Sequence, residues 1–111
     1  MKYGLCIGTG PGDIKTRFAF ELAQELLNND SHVEIFLFDN GIYNTLEANS
    51  LKCISEKLKV ISEKCTSINI CINMAKHRGV NKNNVASYVE ISSLISFTDL
   101  INTSDFIITT K

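Results

Sequence analysis

Short apolar runs alternate with longer segments of helical periodicity along this chain. Runs made almost wholly of apolar residues are typical of strands buried on both faces of a parallel sheet. Five such runs predict strands at residues 2–8, 33–38, 67–72, 86–91 and 105–110, of which 86–91 is the weakest. The intervening segments predict helices at residues 14–28, 50–65, 73–78 and 92–102, and residues 42–48 leave a helical turn and a loop open.

Each long helix carries an apolar stripe that should face the sheet. In the first helix Ile14, Phe18, Leu22 and Leu26 recur every four residues, and Ala19, Ala23 and Leu27 widen the stripe. The second has Leu51, Ile54, Leu58, Ile61 and Cys65 at spacings of three and four. The last supplies apolar contacts from Leu94, Ile95, Phe97, Leu100 and Ile101.

Strict alternation of strands and helices predicts one α/β domain over residues 1–111, with three α/β/α layers and a mainly parallel five-stranded sheet. Functional residues of such sheets cluster at the carboxyl ends of the strands. Three segments qualify by this rule, at residues 8–13, 39–44 and 71–78.

The charge and composition of the chain narrow the function classes. Eleven basic and twelve acidic residues give a net charge of −1, which indicates neither a nucleic-acid-binding nor a membrane surface. No apolar run approaches the roughly 20 residues that span a bilayer, and the opening strand is too short for a signal-peptide core. We therefore expect a cytoplasmic protein that binds neither nucleic acid nor membrane directly.

Four cysteines are the main candidates for chemistry: Cys6, Cys53, Cys65 and Cys71. They form no C-x-x-C pair and lack zinc-ligand spacing, and His32 and His77 lie far apart in the chain, so we expect no metal site and no thioredoxin-type site. Cys6 in mid-strand and Cys65 on a helical stripe are expected in the core, and Cys53 beside that stripe is expected partly exposed. His32 is expected in a solvated loop.

Cys71 differs because it lies where the third strand ends and a short helix begins. The N–H groups of a helix N-terminus stabilise a thiolate, the form of cysteine that attacks or carries sulfur. The alternative is a small buried strand residue, since cysteine is often buried. His77 and Arg78 follow nearly two helical turns later, and Tyr43 follows the second strand, where a pocket role and a packing role are equally open.

The turn at residues 8–12 (GTGPG) leads into the first helix, as phosphate-binding loops do. It lacks the G-x-G-x-x-G spacing of dinucleotide-binding folds, and Gly12 is followed by Asp13 rather than by the lysine of a Walker loop. A tight turn with Asp13 as the helix N-cap and a nucleotide-binding site are the two interpretations.

Three segments in order carry a resemblance to a known family. Residues 71–80 (CINMAKHRGV) are similar to the sulfur-carrier motif of the DsrE/TusD family, in which a cysteine opens a short helix ending near Arg-Gly-Val. Residues 36–44 (FLFDNGIYN) resemble that family's second strand and turn. Gly10-Pro11, followed by a helix with Phe18-Ala19 and Leu26-Leu27, resembles its opening.

The resemblance implies a sulfur-relay protein in which Cys71 takes sulfane sulfur as a persulfide and passes it to another protein, in tRNA 2-thiolation or in sulfur oxidation, with other sulfur-relay proteins as donor and acceptor. It also implies assembly as a homotrimer, hexamer or hetero-oligomer with related subunits, and no bound cofactor. Met74 stands where some relatives have a second cysteine, so an internal C-x-x-C disulfide is not available.

Three functions are left open by the sequence. The first is the sulfurtransferase with Cys71 as carrier. The second is a non-catalytic subunit of an oligomer in which Cys71 is structural. The third is a small-molecule or nucleotide-binding module that uses residues 8–13.

Overall fold

The computed structural model of the protein describes residues 1–46, 52–65 and 67–111, without the side chains of residues 52–55. The strands are Lys2–Ile7 (β1), His32–Leu37 (β2), Ser67–Cys71 (β3), Glu90–Ser92 (β4) and Phe106–Thr110 (β5). The α-helices are Ile14–Asn28 (α1), Lys52–Ser62 (α2), Ile72–His77 (α3) and Ile95–Thr103 (α4), and a 3₁₀ helix covers Asp39–Thr45.

All five strands pair in parallel as one sheet, in the order β4-β3-β2-β1-β5. Successive side chains of a strand point to opposite faces, so the sheet has two sets of core residues. The first face packs against α1 and α2, and its strand residues are Leu5, Ile7, Val33, Ile35, Leu37, Ile68 and Ile70. The second face lies under α4 and carries Cys6, Phe36 and Cys71. The predicted three-layer α/β architecture is confirmed.

The first helix has the predicted bounds, but part of its predicted buried stripe is wrong. Ile14 and Phe18 are 79% and 65% exposed, whereas Thr16, Ala19, Phe20 and Ala23 are buried. The cause is hydrogen bonding by a polar residue of the helix. The Thr16 hydroxyl lies 2.9 Å and 2.8 Å from the carbonyl oxygens of Thr9 and Gly10. This bonding holds the helix in an orientation in which Phe20 and the two alanines pack in the core and Phe18 faces outward.

The fourth strand is shorter than predicted. Ala86 and Val89 are buried as an apolar strand would be, but the Ala86 N–H donates to the Thr45 carbonyl at 2.7 Å rather than to a neighbouring strand. Pairing with β3 therefore begins only at Glu90. The last helix accordingly starts at Ile95, three residues later than predicted.

The apolar residues of the last helix were predicted to make packing contacts, and for most of them this is wrong. Leu100 is buried and Phe97 partly buried, but Leu94 is 53% exposed, and Ile95 and Ile101 are exposed as well. In the second helix Leu58 and Ile61 are buried as predicted. Cys65 follows that helix in a turn, partly buried against the first-face core. Leu51, Ile54 and the side chain of Cys53 lie outside the described residues.

The 3₁₀ helix after β2 occupies part of the segment that the sequence left open. Its position depends on Gly41, whose backbone approaches the end of β1 so closely that a Cβ atom would lie 2.0 Å from the Ile7 carbonyl oxygen. Asp39, the first residue of this helix, has a φ of 46°, a left-handed conformation that aspartate tolerates better than most residues. His32 is exposed as expected, although it begins β2 and does not lie in a loop.

Candidate functional site

The end of β3 brings Cys71 to the carboxyl edge of the sheet. Cys71 is the last strand residue and also the N-cap residue of α3, so the predicted junction of strand and helix is confirmed. Its side chain makes no capping hydrogen bond. The helix ends at His77 with Arg78 as its C-cap, and Gly79 follows as the predicted stop, with the left-handed φ of 70° that favours glycine.

The Cys71 sulfur lies beneath a layer of apolar side chains. It belongs to a second-face cluster of Cys6, Phe36, Cys71 and Leu100, against which Phe38, Met74 and Phe97 pack. Phe36 and Phe97 are in ring contact at 5.0 Å between centroids. As a result Cys71 is only 2% exposed. The structural alternative predicts this burial, and a carrier role requires that the cover move.

An apolar cavity of about 370 Å³ lies on the outer side of this cluster. Its lining includes Cys6 and Phe36 of the cluster and the three side chains that pack against it, Phe38, Met74 and Phe97. Leu94, Ile101, Ile107, Thr109 and Lys111 complete the lining. Lys111 is the one charged residue in that lining. Cys71 does not itself line the cavity, but the cavity and the Cys71 cluster have these aromatic rings and the Met74 thioether in common.

An ion pair connects α3 to the 3₁₀ helix beside this cluster. The Arg78 guanidinium lies 3.5 Å from the Asp39 carboxylate, and its Nη1 donates to the Met74 carbonyl at 3.4 Å. Sequence reasoning named Arg78 but not this partnership, because Asp39 follows a different strand. His77 and Tyr43 are exposed.

The other described cysteines are poorly suited to nucleophilic chemistry. Burial raises the pKa of Cys6 to about 11, and burial is also the main cause that raises the pKa of Cys65 to about 11. Cys6 and Cys71 also cannot form a disulfide, since β1 and β3 flank β2 and lie about 9.5 Å apart, beyond the roughly 7 Å limit for bridged Cα atoms.

The raised pKa of Cys6 predicts a loss of stability in alkali. The folded protein keeps this proton above the unfolded pKa of about 8.5, so the contribution is complete below that pH and is lost as pH rises through about 11. We expect the free energy of unfolding to fall by roughly 3 kcal/mol more in the wild type than in Cys6→Ala over this range. Urea denaturation at both ends of the range would measure this difference, and equal losses in the two proteins would contradict it.

The glycine-rich turn is held by bonds within the chain. The Thr9 carbonyl accepts a hydrogen bond from Asn44 Nδ2 at 3.0 Å, in addition to its contact with the Thr16 hydroxyl. The Asp13 carboxylate accepts from the Lys15 N–H at 2.8 Å, as the N-cap prediction required. This carboxylate occupies a backbone donor that a phosphate would use, so the geometry favours the tight turn over a nucleotide site.

Metal sites and membrane-spanning helices are both absent from the described ranges. No group of three or more His, Cys, Asp or Glu side chains there is placed to hold a metal ion. In those same ranges, no helix combines the length and the apolar character needed to cross a bilayer.

Comparison with known proteins gives a family and a set of related folds. The family model described as the DsrE/DsrF-like family matches residues 1–110. The solved structure of the YchN protein from E. coli has a TM-score of 0.74 at 17% identity, and the match covers 98% of this chain and 97% of that chain. No curated protein sequence matches significantly.

Two proteins of unknown function share the fold as well. MTH1491 from Methanobacterium thermoautotrophicum has a TM-score of 0.78 at 12% identity, with 98% of both chains covered. BT1422 from Bacteroides thetaiotaomicron has a TM-score of 0.71 at 17% identity, with 98% of this chain and 94% of that chain covered. At these identities the likeness establishes the fold alone.

Proposed function

The chain belongs to the DsrE/DsrF-like family, and we propose that within a sulfur relay its Cys71 accepts sulfane sulfur as a persulfide and passes it to a partner protein. Persulfide transfer is nucleophilic exchange at sulfur, so it needs one suitable thiol and a docking surface. It requires neither a metal ion nor an organic cofactor, and no residue is assigned to one.

The position of Cys71 is the observation that carries this proposal. Among the cysteines whose side chains are described, it is the one at the carboxyl edge of the sheet, where such folds place their reacting groups. Cys6 lies within β1, and Cys65 precedes β3 at the opposite edge. Burial holds the thiols of Cys6 and Cys65 in their protonated form, with each pKa about 11.

The surface of α1 supports a role with partner chains. Ile14 and Phe18 are four residues apart and largely exposed, which places two large apolar side chains on one outward helix face. Exposed apolar groups of this size are common at protein interfaces. We propose that this face contributes to a homo- or hetero-oligomer, and that the protein works in the cytoplasm, where cysteines stay reduced.

Loading of sulfur onto the wild-type protein tests the proposal. Brief exposure to inorganic polysulfide, followed by peptide mapping under conditions that preserve persulfides, should place one added sulfur atom on Cys71. Sulfur spread over the cysteines in proportion to their exposure, or absent from Cys71, would contradict it.

A non-catalytic subunit is the second candidate, because Cys71 is buried. On this account Cys71 serves the second-face cluster only, and the protein contributes surface to an oligomer. It predicts that Cys71 stays unmodified even when the partner chains are present.

A further inference from the structure

The apolar cavity beside Cys71 offers a route to the buried sulfur. We propose that sulfane sulfur carried on a small uncharged organic group reaches Cys71 through this cavity, and that the Met74 side chain is the gate it displaces. The inference rests on the proposed carrier function and adds the class of donor and a residue that selects it.

The first support is that the cavity adjoins the cluster that contains Cys71. Phe36 belongs to that cluster, Phe38, Met74 and Phe97 pack against it, and all four side chains line the cavity, although Cys71 itself does not. Leu94, another lining residue, is 53% exposed and marks the rim at which solvent reaches the cavity on the α4 side. A molecule in the cavity is therefore in contact with side chains of the Cys71 cluster.

Met74 is the member of this wall best suited to move. It lies three residues after Cys71, on the same side of α3, and side chains of a helix lean toward its N-terminus. Met74 is partly buried, and its unbranched thioether adopts several conformations at low cost. Its carbonyl meanwhile accepts the hydrogen bond from Arg78, whose guanidinium is paired with Asp39. The backbone is thus held while the side chain swings.

The lining of the cavity selects against charge. Apart from Thr109 and the exposed residue Lys111, the lining is apolar or aromatic, so a charged group that moves past Lys111 loses hydration without a further charged partner. Cys6 in the same wall shows the effect, because burial there raises the pKa of its thiol. A donor in its uncharged form meets no such penalty.

The transfer step balances without an oxidant. The Cys71 thiolate attacks the outer sulfur of a donor R–S–SH, a new S–S bond forms at Cys71, and the bond between the two donor sulfurs breaks. The electron pair leaves on R–S⁻, and Cys71 becomes the persulfide Cys71–S–SH. The Cys71 thiolate becomes a persulfide while the donor persulfide becomes a thiolate, so there is no net oxidation.

Two methanethiosulfonates that differ in charge, and that convert a thiol to a mixed disulfide with release of methanesulfinate, test this route. Methyl methanethiosulfonate is neutral and 2-sulfonatoethyl methanethiosulfonate is anionic, and each rate at Cys71 is divided by that reagent's rate with glutathione. We expect the neutral reagent to be favoured about tenfold or more at Cys71 of the folded protein, because the anion must be desolvated.

Substitutions at the gate and at the rim distinguish entry through the cavity from access caused by a general loosening of the fold. Met74→Ala should speed the neutral reagent at Cys71 by about threefold to tenfold, whereas the matched control Met74→Leu fills similar volume and should change the rate little. Leu94→Trp, at an exposed position that tolerates substitution, narrows the rim and should slow the neutral reagent.

Several outcomes would overturn the inference. Equal normalised rates for the two reagents, or a Met74→Ala rate equal to that of wild type, would show that the sulfur is reached elsewhere. If Leu94→Glu reduces the particle mass and speeds both reagents together, the cavity is covered by a second copy and is not an entrance. In all these cases Cys71 can still load with sulfur from polysulfide, an anion whose entry this route slows about tenfold without preventing it, so the carrier function stands; failure of that loading even on prolonged exposure removes the function itself.

Discussion

Replacing Cys71 by alanine or serine is expected to abolish sulfur uptake while the fold is retained. Both variants lack the nucleophile, and the proposal assigns no other cysteine to the relay. Serine places a hydroxyl in an apolar cluster, which costs about 1–3 kcal/mol if it finds no partner, so alanine is the safer variant. Intact mass after brief polysulfide exposure, with thermal unfolding of the same samples, gives both readouts.

Cys6→Ala is the matched control for this experiment. Cys6 lies in the same second-face cluster and is equally buried, so its loss perturbs the packing to a similar extent. We expect it to retain full sulfur uptake. Uptake by folded Cys71→Ala at the wild-type level, or loss of uptake in Cys6→Ala at unchanged stability, would show that Cys71 is not the carrier.

Gly41→Ala is expected to destabilise the protein more than any other single methyl addition considered. The new Cβ would lie 2.0 Å from the Ile7 carbonyl oxygen and 2.9 Å from its carbon. Ile7 belongs to β1, which pairs with strands on both sides and cannot shift without disturbing them. Relief must come from displacement of the 3₁₀ helix, at a cost of about 3 kcal/mol or more.

Gly79→Ala provides the comparison for this prediction. Among the described residues, no heavy atom beyond the immediate chain neighbours lies within 4 Å of the Cβ position there, so the cost arises from the left-handed backbone at φ 70°. That conformation costs an alanine about 1 kcal/mol. Urea denaturation of the two variants side by side should show the larger loss for Gly41→Ala, and the reverse order would refute the steric account.

Local signals in the sequence predicted most of the architecture. Apolar runs bounded by glycine or aspartate gave five strands, and Asp13 gave the start of α1 through its capping bond. The junction of strand and helix at Cys71 was likewise readable, because the apolar run stops where helix-forming residues begin. These features depend on residues close together in the chain.

The errors arose where distant residues decide the outcome. Thr16 orients α1 by bonding to the turn at Thr9 and Gly10, a contact that hydropathy does not report. Ala86 leaves the sheet because Thr45 accepts its N–H. The burial of Cys71 depends on Leu100 and Phe97, two residues of α4 that pack in and against its cluster. The sequence predicted Cys71 at the edge of the sheet but did not show which residues cover it.

The side chains that bury Cys71 bear directly on the proposed function, because they limit access to its sulfur. A buried thiol is protected from unspecific oxidation, since reactivity follows access to the sulfur. It can still react if a local rearrangement of its cover, such as displacement of the Met74 side chain, costs less than global unfolding.

A complete cycle of loading and discharge tests the central claim most directly. Wild-type protein is loaded with radiolabelled sulfane sulfur, freed of donor, and offered 2-mercaptoethanol as a small uncharged acceptor thiol. The account predicts that the label resides on Cys71, leaves as the persulfide of 2-mercaptoethanol, and can be loaded again onto the regenerated thiol. Label that never reaches Cys71, or that stays there through repeated exposure to the acceptor, would contradict a carrier role.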